Sequence, residues 1–304
     1  MSNRSRQRLD LELVRRGLAG NRQQAQAAVA AGRVLVGGAV ADKPARLVAP
    51  SDPVVVQGDG PRFVSRGGEK LAAALDRFGV AVDGVTALDA GASTGGFTDC
   101  LLQRGASRVV AVDVGYGQLD SRLRVDPRVV LLERTNLRAL TPGVVSARGG
   151  GGGPVDLVTA DLSFISLTVV APILAGPVIR PGGQLVLLVK PQFEAGRAEV
   201  SRGKGIIRDP GIWADALRSV ASSLGAAGAA IMGAMRSPVL GSAGNTEFLL
   251  HAVAGGGRRA DDLVDELVAE AVAGAAGPGG GEAADPADGV AGVGAAEAGG
   301  GEDG

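Results

Sequence analysis

Asp89-Ala-Gly-Ala-Ser-Thr-Gly-Gly-Phe97 is the stretch on which the fold turns. An apolar strand pattern, Thr86-Ala-Leu88, runs into it, and a helical pattern opens at its end. The glycines permit a tight turn and let the backbone approach a ligand closely. Outward from this turn, buried-strand patterns alternate with stretches suited to helices: RVVAVDV, RVVLLE, DLVTAD and QLVLLVK. That alternation predicts a doubly wound α/β sheet. Two more strands, around Ala229–Met235 and Glu247–Val253, bring the expected sheet to about seven.

The turn is not the dinucleotide fingerprint G-x-G-x-x-G, whose second glycine clears a pyrophosphate. Ser93 stands in that glycine's place, and Gly95-Gly96 follow. A ligand without phosphates fits better. S-adenosylmethionine (SAM), with its carboxylate, amine, sulfonium and ribose, is such a ligand, and a seventh strand after the last helix is typical of enzymes that use it. Asp89, Gly91, Ser93, Thr94, Gly95, Gly96, Phe97 and Asp161 are the expected cofactor contacts. Asp113 ends the next strand, 24 residues after Asp89. A carboxylate there can accept both ribose hydroxyls, or it can serve as a helix cap. Asn136, after the third strand, reads either as a neighbour of the adenine or as a turn residue.

Four polar residues stand out by position. Lys70 opens a helix in SRGGEK, Asp161 ends the fourth strand, Lys190 ends the fifth, and Glu247 begins the last. Ligands bind beyond the carboxyl ends of parallel strands. An antiparallel last strand would bring its own beginning to that edge, so all four would meet in one cleft. Two amines and two acids suit a hydroxyl nucleophile that attacks a methyl sulfonium. Burial beside a second cation disfavours a lysine's charge and can make it a base. The expectation is that Lys190 activates a ribose 2′-hydroxyl while Asp161 and Glu247 orient that lysine. Lys70 would hold a substrate phosphate or depress the Lys190 pKa.

Ahead of this domain, residues 1–70 carry 12 Lys/Arg against 6 Asp/Glu, whereas residues 254–304 carry 2 against 11. The net charge of −1 therefore conceals a basic head. Basic surfaces favour polyanions, because each phosphate contact releases counterions. Leu9 to Val56 reads as a short helix, a second helix capped by Asn21, and a hairpin turning at Gly37-Gly38. Arg15, Arg16, Arg22 and Arg33 fall on its polar sides, and Arg66 follows it; these are candidate RNA contacts. Helix, helix and hairpin in that order resemble the RNA-binding domain named after the S-four ribosomal protein. The expected division is 5–60 for this domain, 61–68 for a linker, 69–254 for the α/β domain, and 255–304 for an acidic Gly/Ala-rich tail. The tail's composition predicts disorder from about Ala275, after an amphipathic helix over 258–273.

Together SRGGEKL, LDAGASTGGFTD, ADLSFISL, LVKPQFE and GNTEF resemble the TlyA (hemolysin A) family, within the FtsJ-like 2′-O-methyltransferases. The resemblance runs from about residue 5 to 253. It implies 2′-O-methylation of cytidines in ribosomal RNA, and it maps Lys70, Asp161, Lys190 and Glu247 onto that family's K-D-K-E tetrad. The glycine run at 149–153 and the acidic tail depart from the pattern without touching the motifs.

The segment 193–208, with Arg197, Arg202, Lys204 and Arg208, reads either as a clamp on RNA phosphates or as a solvated loop. Phe193 in it either stacks on a flipped-out base or packs inward. Phe164 and Trp213 read as core, and Cys100 and His251 as structural. One cysteine and one histidine cannot build an internal disulfide or a zinc site, so no metal is expected. The polar N-terminus lacks a secretory h-region and no apolar run suits a membrane span, which points to the cytoplasm. Nothing demands more than a monomer. The competing readings are a catalytically inactive RNA-binding or ribosome-assembly factor and a hemolysin-like lytic protein. The latter would need a membrane-active element.

Overall fold

The computed structural model describes residues 6–58, 62–148, 153–196, 205–241, 243–257 and 261–276. Its head comprises β1 (Gln7–Arg8), α1 (Leu9–Arg15), α2 (Arg22–Ala30), β2 (Val34–Val36), β3 (Ala39–Val40), β4 (Leu47–Val48) and β5 (Val54–Val56). Asn21 caps α2 as its sequence predicts, its side chain accepting from the Gln24 amide at 2.9 Å. Leu9, Leu13, Ala25, Val29, Val34 and Val48 close a small core. Two short strands escaped the sequence pattern: β1 pairs antiparallel with β4, Gln7 opposite Val48. Pairs of two residues are too short to show a period.

The α/β domain follows with α3 (Gly67–Phe78), β6 (Thr86–Ala90), α4 (Gly96–Gln103), β7 (Arg108–Val112), α5 (Ser121–Arg124), β8 (Val129–Leu132), α6 (Pro142–Arg148), β9 (Val155–Ala160) and α7 (Leu167–Leu174). Then come β10 (Ile179–Val189), α8 (Pro191–Glu194), α9 (Pro210–Ala226), β11 (Ala230–Arg236), β12 (Phe248–Val253) and α10 (Asp261–Ala276). The seven strands run in the order β11-β12-β10-β9-β6-β7-β8. β12 alone runs against the other six strands, antiparallel to both β10 and β11, so its beginning lies at the edge where β9 and β10 end.

The strands read as unbroken apolar runs because helices cover both faces. Along β10, Leu185, Leu187 and Val189 enter one core with Leu174 and Leu217, while Val186 and Leu188 enter the other with Leu71 and Leu101. Phe63 and Val64, which read as linker, are buried in that second core. Phe63 fits because Gly68 has no side chain: a Cβ there would lie 2.2 Å from the Phe63 ring. β10 also starts earlier than its sequence pattern, at Ile179, and carries an irregularity in its pairing with β9 between Ile179 and Gln184, where Pro181-Gly182-Gly183 interrupts the apolar run. Among the described residues no helix is long and apolar enough to cross a membrane. Residues 149–152 of the glycine run and 277–304 of the tail lie outside the described residues.

Candidate active site

β6 delivers the chain to the glycine turn. Gly91 holds φ +84°, and a Cβ there would meet the Asp161 carbonyl oxygen at 2.7 Å, so only glycine lets the two strand ends close up. Ser93 is held at φ +47°, and its amide donates to Asp113 Oδ2 at 2.8 Å. The Gly115 amide donates to Asp113 Oδ1 at 2.7 Å. Asp113 thus braces the turn as well as bordering it, and its carboxylate oxygens keep further lone pairs for a ligand.

Asp89 does not reach the ligand side. Strand alternation aims it at α4, where it is fully buried and accepts from Thr98 Oγ1 at 2.6 Å. Burial pushes its carboxyl up to about 7. Its expected role as a cofactor contact is therefore corrected to that of a group beneath the turn.

A cleft of about 490 Å³ opens beside this turn, a size suited to a small-molecule site. Lys70, Asp161, Lys190 and Glu247 all line it, with Gly91, Ser93, Thr94, Gly96 and Phe97. The four polar residues meet as two ion pairs. Lys190 Nζ lies 2.5 Å from Asp161 Oδ1 and donates to Ser163 Oγ at 3.1 Å. Lys70 Nζ pairs with Glu247 Oε2. Glu247 was expected to orient Lys190; it pairs with Lys70 of α3 instead. Lys70, Lys190 and Glu247 are buried, while Asp161 remains partly open.

The FtsJ-like methyltransferase family profile matches residues 63–253, and that of the S4 domain matches residues 7–54. Over 246 residues the chain is 51% identical to the 16S/23S rRNA (cytidine-2'-O)-methyltransferase TlyA of Mycobacterium tuberculosis, covering 81% of this chain and 89% of that protein. The chain belongs to the TlyA family of FtsJ-like methyltransferases. Hemolysin A of Brachyspira hyodysenteriae is 39% identical over 80% of this chain and 98% of its own. A solved candidate hemolysin from Streptococcus thermophilus superposes with a TM-score of 0.68 at 39% identity, covering 89% of this chain and 97% of that one.

Within this TlyA-family chain the S4 head forms part of the cleft wall. Asn21, Gln23, Gln24, Ala27 and Arg33 line the cleft together with Arg66. Gln24 Nε2 donates across the domain boundary to the Val64 carbonyl at 2.5 Å. The other expected RNA contacts differ among themselves. Arg15 and Arg22 are ion-paired to Glu12 and Asp10 yet keep about half their side-chain surface. Arg16 is spent internally: it bonds Glu12 and the carbonyls of Ala49, Pro50 and Asp52, which fastens the loop before β5. Arg197, Arg202 and Lys204 lie outside the described residues.

Asn136 caps the turn Leu137–Ala139, accepting from the Arg138 amide at 2.9 Å. Phe164 is corrected outright: it is 93% exposed at φ +66°, not core. Its ring sits 5.3 Å from that of Phe193, over which Lys190 Nζ stands at 5.9 Å. Trp213 is core, donating to the Ile207 carbonyl at 3.1 Å and packing on Phe248.

Three polar residues were missed. Ser163 touches Lys190, and Glu194 bonds the start of α7. Asn245 ties the 205–207 segment to the loop before β12. The motifs ADLSF, KPQFE and GNTEF contained all three, but their partners are loop backbone or residues far along the chain, which no spacing rule reveals.

Proposed function

We propose that this chain transfers the methyl group of SAM to the 2′-hydroxyl of a cytidine in ribosomal RNA. The observation that carries this reading is the meeting of Lys70, Asp161, Lys190 and Glu247 in one cleft beside the glycine turn. The donor set suits SAM: small residues at Gly91 and Ala92 admit a ligand closely, Asp113 offers acceptors for ribose hydroxyls, and Asp161 offers one for an amine. When bound, SAM supplies an electrophilic methyl on a sulfonium.

The chain's own contribution is placement and a proton path. Asp161 and Ser163 fix the Lys190 amine at the end of β10. From there Lys190, acting in its neutral amine form, aims a lone pair of the 2′-oxygen along the line of displacement and takes up the hydroxyl proton as the new C–O bond forms and the methyl's bond to sulfur breaks. Lys70, neutralised by Glu247, borders the same space and steadies the nucleotide's phosphate side. Positioning of this kind supplies much of the acceleration in such displacements. The exposed Phe164 with Phe193 gives the extracted base a surface to stack on, and bases taken out of a helix are read by such stacking.

The S4 head would grip neighbouring RNA, and the presence of Gln23 and Arg33 on the cleft wall supports that reading. Tritiated methyl transfer to isolated ribosomal subunits, followed by mapping of 2′-O-methyl marks, tests the reading. Absence of a cytidine mark with purified enzyme and SAM would overturn it.

A further inference from the structure

Parallel pairing between β9 and β10 ends at Ala160 opposite Leu187. The candidate residues of the cleft lie just past that point, on two segments that the β9–β10 pairing no longer joins. One runs from Asp161 to Leu167 at the start of α7, the other is Lys190 with α8. Three rungs join them. At the cleft, Lys190 meets Asp161 and Ser163. In the middle, Phe193 meets Phe164. At the far end, Glu194 Oε1 accepts from the Leu167 amide at 2.8 Å and Glu194 Oε2 from Ser166 Oγ at 2.5 Å.

The three rungs are not equivalent. The first is the machinery itself, and the second is a tilted ring contact beside solvent. Phe164 sits at φ +66°, a conformation that costs a non-glycine residue energy and persists only where surroundings impose it. Among the described residues, the hydrogen bonds that span the two segments are those of Lys190 to Ser163 and those that Glu194 receives. Glu194 is largely buried, which raises its carboxyl above its ordinary value and is offset by these bonds.

We propose that Glu194 is a positioning residue for methyl transfer: it staples the Asp161–Leu167 segment to Lys190 and α8 and so fixes both the Lys190–Asp161 contact and the Phe164 ring. This rests on the reading of the cleft given above. Glu194 shares the start of helix α7 with Ser166, which accepts from the Thr168 amide at 3.1 Å and keeps that cap when Glu194 is removed. Glu194→Ala should therefore fold.

The test uses the full chain with SAM and ribosomal subunits, comparing wild type, Glu194→Ala and Glu194→Gln. A glutamine can accept from Leu167 and donate to Ser166, preserving both bonds. Glu194→Ala is expected to lower kcat by about 30-fold, in line with the cost of misplacing a reacting group. The SAM dissociation constant should stay within about threefold, and Glu194→Gln should recover kcat to within about fivefold of wild type. Hydrogen exchange over residues 161–168 gives a readout without turnover: protection should fall in the alanine variant and hold in the glutamine one.

Unchanged kcat in Glu194→Ala, or unchanged exchange, overturns the proposal. So does a parallel loss of kcat and SAM affinity that glutamine fails to rescue, which would mark a general packing role. If wild type itself methylates no RNA, the functional reading fails, while the exchange data still decide whether the staple exists.

Discussion

The head and the cleft are both built on buried carboxylates paired with cations, and they use the pairing in opposite ways. In the head, Asp10 and Glu12 are almost wholly buried, while their partners reach outward. Asp10 gathers Arg8, Arg22 and Gln26; Glu12 gathers Arg15 and Arg16. The Arg8 bond holds Asp10 well below the usual carboxylate range, and the Arg15 bond brings Glu12 to about 2. An arginine fork can satisfy an acid with one edge and still present other N–H groups to a phosphate. In the cleft the cations are compact lysine side chains, buried and paired one to one with acids, of which Glu247 is buried and Asp161 partly open. The head turns acids inward to display charge; the cleft draws its cations inward as well.

The sharpest way to break this contrast is Lys190→Ala. If the cleft pair does chemistry, kcat should fall at least about 1,000-fold with SAM affinity little changed, as expected when a group acts only in the transition state. Lys190→Arg should not restore it, since a planar guanidinium cannot replace a single directed amine. Methyl transfer near the wild-type rate in either variant would leave the Lys190–Asp161 pair as mere scaffolding.

Next in size is Lys70→Ala, which strands Glu247 as a buried acid. Breaking such a pair from one side costs about 3–5 kcal/mol. The matching change in the head, Arg22→Ala, leaves Asp10 held by Arg8 and Gln26 and should cost under about 1 kcal/mol. Urea unfolding of the two variants measures the difference directly. Equal losses would erase the distinction between buried and displayed cations.

Acid and base should also separate the two regions. Glu12 has a lowered carboxyl value, so its stabilising contribution is complete above its ordinary value of 4.5 and is lost as pH falls toward about 2. Asp89 runs the other way. Its value is raised to about 7, so the folded state binds the proton more tightly than the unfolded one, and stability declines as pH rises from about 4 to about 7. Asp89→Asn keeps an acceptor for Thr98 and removes the titration. It should raise stability at pH 8 by about 2 kcal/mol while changing little at pH 4. Identical pH profiles for wild type and variant would show that Asp89 carries no such burden.

The same contrast governs what could be read from the sequence. Strands buried on both faces leave long apolar runs, so the sheet, and with it the strand ends that carry Asp161, Lys190 and Glu247, was legible. The head's second helix announced itself through Asn21. What stayed hidden depends on direction and partnership rather than on residue type. Asp89 and Asp161 both sit by the glycine turn, yet strand parity sends one into the core and leaves the other in the cleft. Glu247 pairs with Lys70 rather than Lys190, a partner 177 residues earlier in the chain that no local pattern reveals. Phe164 was misread because an aromatic within an apolar motif signals burial, whereas a positive φ turned it outward.

The smallest effect tests the displayed cations themselves. Arg15 and Arg22 each keep about half their side-chain surface while bonded to a buried acid, so the acid orients the guanidinium without consuming it. If each contacts one RNA phosphate, Arg22→Ala should weaken RNA binding severalfold and reduce the slope of log affinity against log salt by about 1. Single-turnover methyl transfer at saturating RNA should be untouched, because neither residue lines the cleft. Arg16→Ala should behave differently, loosening the loop that holds Ala49, Pro50 and Asp52 and leaving the salt slope where it was. Arg33, which does line the cleft, should change both affinity and rate. A salt slope that ignores Arg15 and Arg22 would mean that their acids hold them for the fold alone, and the head's grip on RNA would have to come from another face.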